Sequence, residues 1–328
     1  MRSASGIALF TSLVLIIGSS YPFTELALGA FDTLTMVLVR LAMGAVFLSA
    51  WMAIRRTPVP AFSPDLRRLL PLGLVNTVGA FILITWGQQY LPASYAAILV
   101  ATGPIFATAG VALFLADESL NPRRVLGIVT GFAGVVVLFS GGLGEASGAG
   151  WLRETFGVVA ILGSTMLIAT VAIVVRRSFA HLQPAQIALP QLCAGIVLVS
   201  ILIAVLAPAG IVVPRAGLPS AGVVVALLSL GLLNAGVGNL VYYAALKRFG
   251  VTGTALVGYV APVVGVALSI VLLHHRLGWN EIAGMLLVLA SMALTRVRSI
   301  DADSGGGSVS SSAAGAMAET SPAGKVDS

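Results

Sequence analysis

The chain has 328 residues, of which 9% are charged and 58% hydrophobic, and its mean hydropathy is +1.03. A soluble domain carries roughly 25% charged residues, so this composition describes an integral membrane protein and excludes a soluble catalytic domain or a nucleic-acid patch. The net charge of +6 comes from Lys and Arg at loops and helix ends, where their use is to fix orientation in the bilayer. Cys193 is the single cysteine, which excludes an intramolecular disulfide and a cysteine-based zinc site. His181, His274 and His275 have no metal-ligand spacing either, and the sequence implies no metal and no cofactor.

A hydrocarbon core of about 30 Å takes about 20 apolar residues per helix. Apolar runs between charged or Pro/Gly-rich breaks then predict ten helices, at 7–28, 33–54, 69–89, 93–115, 124–142, 156–175, 185–206, 220–246, 251–273 and 279–296. The first, behind Arg2, has the look of a secretory signal, with Ala27-Leu28-Gly29-Ala30 imitating a cleavage site; its length and the spans that follow predict a retained helix. With a cytoplasmic N-terminus, fourteen of the 18 Lys and Arg fall on the cytoplasmic side, among them Arg55, Arg56, Arg67, Arg68, Arg176 and Arg177. Only Arg153, Arg215 and Arg276 face the other side, and Arg40 lies inside a span. The positive-inside rule therefore places both termini in the cytoplasm and the chain in the plasma (inner) membrane. Trp86, Tyr90, Trp151 and Trp279 lie near the expected interfaces and read as anchoring aromatics. From Ser299 to Ser328 an Asp/Ser/Gly/Ala run is too poor in apolar residues to order itself, and a disordered cytoplasmic tail is expected.

The chain repeats itself. Gly73-Leu74-Val75-Asn76 is followed by Pro104 at the interval that separates Gly231-Leu232-Leu233-Asn234 from Pro262. Gly18-Ser19-Ser20 matches Gly163-Ser164-Thr165, and Arg40-Leu41 with Gly44 matches Gln191-Leu192 with Gly195. The matches keep their order, which divides the chain into a first repeat (1–142), an extracytoplasmic linker (143–155), a second repeat (156–298) and the tail (299–328). Five helices per half is an odd number, so the second half enters the membrane from the opposite side. Such inverted-topology repeats place a central site about which rocking gives alternating access.

The ten spans in two halves, Arg40-Leu41, Ala96-Ala97-Ile98-Leu99, Pro104, Leu113-Phe114-Leu115, Glu118-x-Leu120 and Gly127 resemble the EamA family of the drug/metabolite transporter superfamily, over about residues 7–297. The resemblance implies an all-α membrane fold and a carrier; many members are exporters of amino acids or other metabolites, and related branches move nucleotide sugars or lipid-linked sugars. One departure stands out. The second half has His275 where the repeat pattern commonly has an acid, so the role of that acid does not carry over.

Asn76 and Asn234 lie deep in their spans, where an unpaired amide costs a few kcal/mol; they either hydrogen-bond a cargo or tie neighbouring helices together. Asn239 adds an amide on what an α-helical wheel makes a different face from Asn234. Pro104 and Pro262 each free a backbone carbonyl one turn earlier, either as packing kinks or as breaks lining a cavity, with Tyr259 near the second break. Pro22 makes a similar interruption between Tyr21 and Glu25. Arg40 and Glu25 are the base and acid placed inside the membrane, where each charge costs about 2.5 to 3.5 kcal/mol at mid-helix. Depths along the first two helices allow a Glu25 to Arg40 pair that holds the hairpin or opens to a zwitterionic or anionic cargo; Glu25 alone also reads as an interfacial carboxylate. Gln191 stands at the position matching Arg40. Proton coupling needs a group that titrates near neutrality, which Glu25 or His274 and His275 supply, although the two histidines also read as a solvated loop pair.

The expected function is a secondary transporter, an exporter, of small metabolites such as amino acids, with the lipid bilayer and a small-molecule substrate as its partners. A lipid-linked head-group flippase is the alternative, and a channel a weaker one. No phosphate-binding Gly-rich Lys-Ser/Thr loop is present to use ATP directly, and no His-Glu-x-x-His helix or paired intramembrane aspartates point to an enzyme. Oligomeric state is not legible.

Overall fold

The structure, a computed structural model, describes residues 4–58, 63–103, 106, 122–140, 149–210, 212, 219–275 and 277–295. Every regular element among them is helical. In chain order these are α1 (Ala4–Leu28), α2 (Thr33–Ile54), α3 (Pro64–Asn76), a first π-helical segment (Thr77–Leu83), α4 (Ile84–Gly87), α5 (Ala93–Val100), α6 (Pro122–Ser140) and α7 (Ala149–Ser178). They are followed by α8 (Pro184–Leu206), α9 (Ala221–Leu228), a second π-helical segment (Ser229–Gly238), α10 (Asn239–Ala255), α11 (Val257–Leu273) and α12 (Trp279–Thr295). Six helical stretches among the described residues are long and apolar enough to cross a membrane: Ala4–Leu28, Thr33–Ile54, Pro64–Gly87, Gly150–Ser178, Pro184–Leu206 and Ala221–Val251. Val129–Leu138, Val260–Leu273 and Trp279–Ser291 are shorter apolar helices.

Polar residues at the ends set where these helices begin. The Asp32 carboxylate accepts from the Leu34 and Thr35 amides, 3.0 Å each, and Ser63 and Ser220 cap α3 and α9 in the same way. Gln183 and Gln186 form a reciprocal capping box on α8, with Pro184 at its first turn. Inside the helices, side-chain hydroxyls return to the backbone, as Ser269 does to the Gly265 carbonyl at 2.8 Å, because no water is at hand to bond them.

The outer faces are apolar. Val46, Val136, Val205 and Val271 are all at least 65% exposed, a surface suited to lipid tails and not to water. Lipid is as apolar as the core, so helix association here rests on close packing. Thus α6 lies along α12 through Gly134 and Gly284, where a Cβ on either would come within 3.0 Å of the other helix. The largest buried cluster gathers Leu41 and Leu48 from α2, Phe81 from the first π segment, Phe179, and Tyr243 from α10.

One feature differs from the expected layout and one agrees with it. Helix α7 starts at Ala149, inside the stretch 143–155 expected as a linker. Arg153 and Glu154 read as a break in the sequence, yet the helix passes through them, with the Thr155 hydroxyl bonded to the Trp151 carbonyl at 2.8 Å. The sharp break late in the chain falls at Gly250, whose φ of 70° and ψ of −176° no side-chain-bearing residue adopts easily. It breaks the helical path inside α10, at the end of the apolar stretch Ala221–Val251 and before α11. Lys247 and Arg248 pin this corner, donating to the Leu182 carbonyl at 2.8 Å and to the Ser5 hydroxyl at 3.1 Å.

Candidate functional site

Between the helices lie two adjoining cavities. One is a polar chamber of about 930 Å³, and the other an aliphatic arm of about 740 Å³, each figure including its open mouth. Ile17, Tyr21, Val100, Ile168 and Tyr242 line both. Volumes of a few hundred to a thousand Å³ are those of small-molecule sites.

Arg40 dominates the chamber. It is 5% exposed, its Nη2 donates to the Asn234 Oδ1, and its guanidinium lies 4.9 Å from the Phe81 ring centroid. Its Nε has no hydrogen-bond partner, and no carboxylate among the described residues lies within ion-pair distance of it. A buried cation held by one amide and one ring is short of compensation. Asn234 is fixed from the other side, its Nδ2 donating to the Ile16 carbonyl at 3.3 Å. Asn76, 9% exposed, lines the same chamber and makes no side-chain hydrogen bond among the described residues. Gln88 donates to the Tyr21 carbonyl at 3.1 Å and leaves its own buried Oε1 unpaired.

Both sequence-predicted asparagines stand at π-helical segments. Asn76 immediately precedes the first, and Asn234 lies within the second. The second segment also revises the placement of Asn239. On an α-helix residues five apart point about 140° from each other, whereas a ladder of i→i+5 bonds brings them near one face. Asn234 and Asn239 accordingly line the same chamber, Asn239 with its Nδ2 bonded to the Ala235 carbonyl at 2.8 Å.

The remaining predicted residues divide. Tyr21 lines both cavities. Gln191 stands behind the chamber wall, buried, its Oε1 accepting from the Tyr243 hydroxyl at 3.0 Å. Pro262 lines the arm with Gly258, the residue whose carbonyl its missing N–H leaves without a helical donor, while α11 runs through it unbroken. Pro22 is buried within a continuous α1 and is not among the lining residues. Tyr259 belongs to α11, and its side chain, like Pro104, lies outside the described residues.

Glu25 does not pair with Arg40. Its carboxylate takes the Ala93 amide at 2.6 Å and lies 3.0 Å from the His275 Nε2. Depth along α1 and α2 is compatible with the Glu25 to Arg40 pair, but depth says nothing of which way each side chain faces, and α1 meets α2 only lightly while packing closely on α11. His275 is therefore no free loop residue; its side chain is 25% exposed and held against α1. Gln88, Phe81 and Tyr242 are lining residues that sequence reasoning passed over. Gln88 carried the one usable signal, an amide at the end of an apolar run.

The fold and this cavity now meet the comparisons with known proteins. The family model for the EamA-like transporter family matches residues 4–140 and 155–297. The uncharacterized transporter YvbV of Bacillus subtilis is 24% identical over 293 residues, spanning 89% of this chain and 91% of its own. A probable terminal-alkyne amino-acid exporter of Streptantibioticus cattleyicolor is 23% identical over 86% of this chain and 90% of its own length. A solved crystal structure covers 90% of this chain and 99% of its own with a TM-score of 0.62 at 18% identity, which supports the fold alone. Two matched halves, helices fit for a bilayer and a polar chamber between them make one conclusion: the chain belongs to the EamA-like transporter family and is a multi-pass membrane protein of the transporter type.

Proposed function

We propose that this protein is a secondary carrier that exports small amphipathic metabolites, with amino acids and their derivatives as the class to test first. It works by alternating access of the central cavity between two five-helix halves of inverted topology. The observation that carries this reading is the chamber itself: Arg40 and Asn76 from the first half meet Asn234 and Asn239 from the second around one space. A site built by both halves changes its exposure when the halves rock. The relative described as a probable amino-acid exporter supports the cargo class. The surplus of Lys and Arg in the loops assigned to the cytoplasm supports ten crossings of the plasma (inner) membrane, with both termini cytoplasmic.

Opening of the cavity past Thr24 has to break the Glu25 to His275 contact, which continues α1 beyond the lining residues. Energy comes from a substrate or ion gradient, and the Glu25 to His275 contact is where proton coupling is to be looked for. Counterflow in liposomes tests the reading: preloaded cargo should accelerate uptake of labelled cargo. Flux that rises linearly with concentration and shows no counterflow would replace the carrier with a channel. Dependence on a lipid-linked substrate would point to the flippase.

A further inference from the structure

The chamber holds a cation and no acid. Among the described lining residues Arg40 is the only ionised group, and the nearest carboxylate along α1, Glu25, is engaged elsewhere. Three of the polar atoms around it are unspent: the Arg40 Nε and the Gln88 Oε1 have no partner, and the Asn76 amide makes no bond among the described residues. The adjoining arm is aliphatic, with Ala169, Leu246, Val251 and Val257 on its walls. Its threonine hydroxyls are already committed, Thr165 to the Leu162 carbonyl at 2.7 Å and Thr254 to the Gly250 carbonyl at 2.8 Å.

We infer that the cargo is a carboxylate carrying an apolar tail and a neutral hydrogen-bond donor in place of a free amine, as in an N-acylated amino acid. This rests on the carrier reading of the cavity. Charge balance decides the head group. A cargo of net charge −1 neutralises Arg40 when both leave water, whereas a zwitterion adds as much positive charge as negative and leaves the buried site at +1. The guanidinium offers a planar fork that suits a carboxylate, with Asn76 as a further donor. The Gln88 Oε1 accepts one N–H or O–H, which an amide or hydroxyl on the cargo supplies without bringing a second cation beside Arg40. The tail takes the arm, whose walls are mostly aliphatic.

The test is calorimetric titration of the purified full-length protein with a matched panel: N-hexanoylglycine, its neutral analogue N-hexanoylglycinamide, the zwitterion 2-aminooctanoate, and short-tailed N-acetylglycine. N-hexanoylglycine should bind at least about ten-fold tighter than either the glycinamide or the zwitterion. Arg40→Gln should bring N-hexanoylglycine down to the level of the glycinamide, so that the variant no longer distinguishes the acid from its amide. Ala169→Trp should weaken N-hexanoylglycine and spare N-acetylglycine. If Arg40→Gln does not fold, the panel on the unaltered protein decides alone. Binding of 2-aminooctanoate as tight as that of N-hexanoylglycine, or equal binding of acid and amide, overturns the inference. Counterflow separates the two readings: a zwitterion that binds best and exchanges keeps the carrier and removes the head-group assignment. Anion-first binding with no exchange of any ligand keeps the assignment and removes the carrier.

Discussion

Helix α2 crosses the second π segment, and α8 crosses α3 where it runs into the first, at positions that the sequence repeat makes equivalent. The backbones use the same device at both crossings. A Cβ on Gly231 would meet the Met43 Cβ at 2.6 Å, and one on Gly73 would meet the Gln191 Cα at 2.6 Å. Gly44 abuts Ala235 as Gly195 abuts Thr77. The polar pairs differ completely. Arg40 and Asn234 bond across the first crossing, whereas at the second Gln191 turns to Tyr243 and Asn76 is left facing the chamber. Packing has been kept on both sides of the duplication, and chemistry has been changed on one. A carrier with two like crossings would present a symmetric site; this one has a bonded cation on one wall and a spare amide on the other.

Five substitutions test the difference between the crossings, in descending order of expected effect. Gly73→Ala pushes into the Gln191 backbone, which cannot move aside, and should cost about 3 kcal/mol, read as a lowered unfolding midpoint in detergent. Gly231→Ala meets the Met43 Cβ, an atom held by the α2 backbone, and should also cost about 3 kcal/mol by the same measurement; a much smaller loss would show that this crossing yields where the other does not. Asn234→Ala leaves the Arg40 guanidinium with Phe81 alone and should destabilise by about 2 kcal/mol, with a loss of ligand binding as well. Tyr243→Phe strands the Gln191 Oε1 and should cost about 1 kcal/mol, read as a smaller fall in the same midpoint. Asn76→Ala removes no internal bond, so stability should move by less than about 0.5 kcal/mol while counterflow falls. A stability loss there as large as that of Asn234→Ala would mean that Asn76 ties helices together.

How much of this was legible follows from what sequence carries. Arg40, Asn76 and Asn234 stand out because a polar group in an apolar span has to be accommodated, and the repeat of Gly-Leu-x-Asn marks two of them together. The partner of Glu25 was not legible, because the arithmetic of depth fixes a height in the membrane and leaves the azimuth free; His275 reaches it from the far end of the chain. The facing of Asn239 was misjudged for a related reason, since a wheel of 3.6 residues per turn is the wrong ruler where the helix widens. Nothing in an all-apolar run announces such a widening. The glycines at 73, 79, 231, 236 and 238 cluster there, but glycine is abundant throughout the chain.

The corner at Gly250 has a consequence for how cargo length is chosen. Leu246 lies before it and Val251 and Thr254 after it, and all three face the aliphatic arm, whereas Arg40 and the asparagines are held in the bodies of helices. Recognition of the head and accommodation of the tail thus belong to structurally separate places, one rigid and one at a bend in the chain. Substitutions near the bend can retune which tails fit while leaving the charged end untouched, which gives relatives of this protein a short mutational route between cargoes that share a head group.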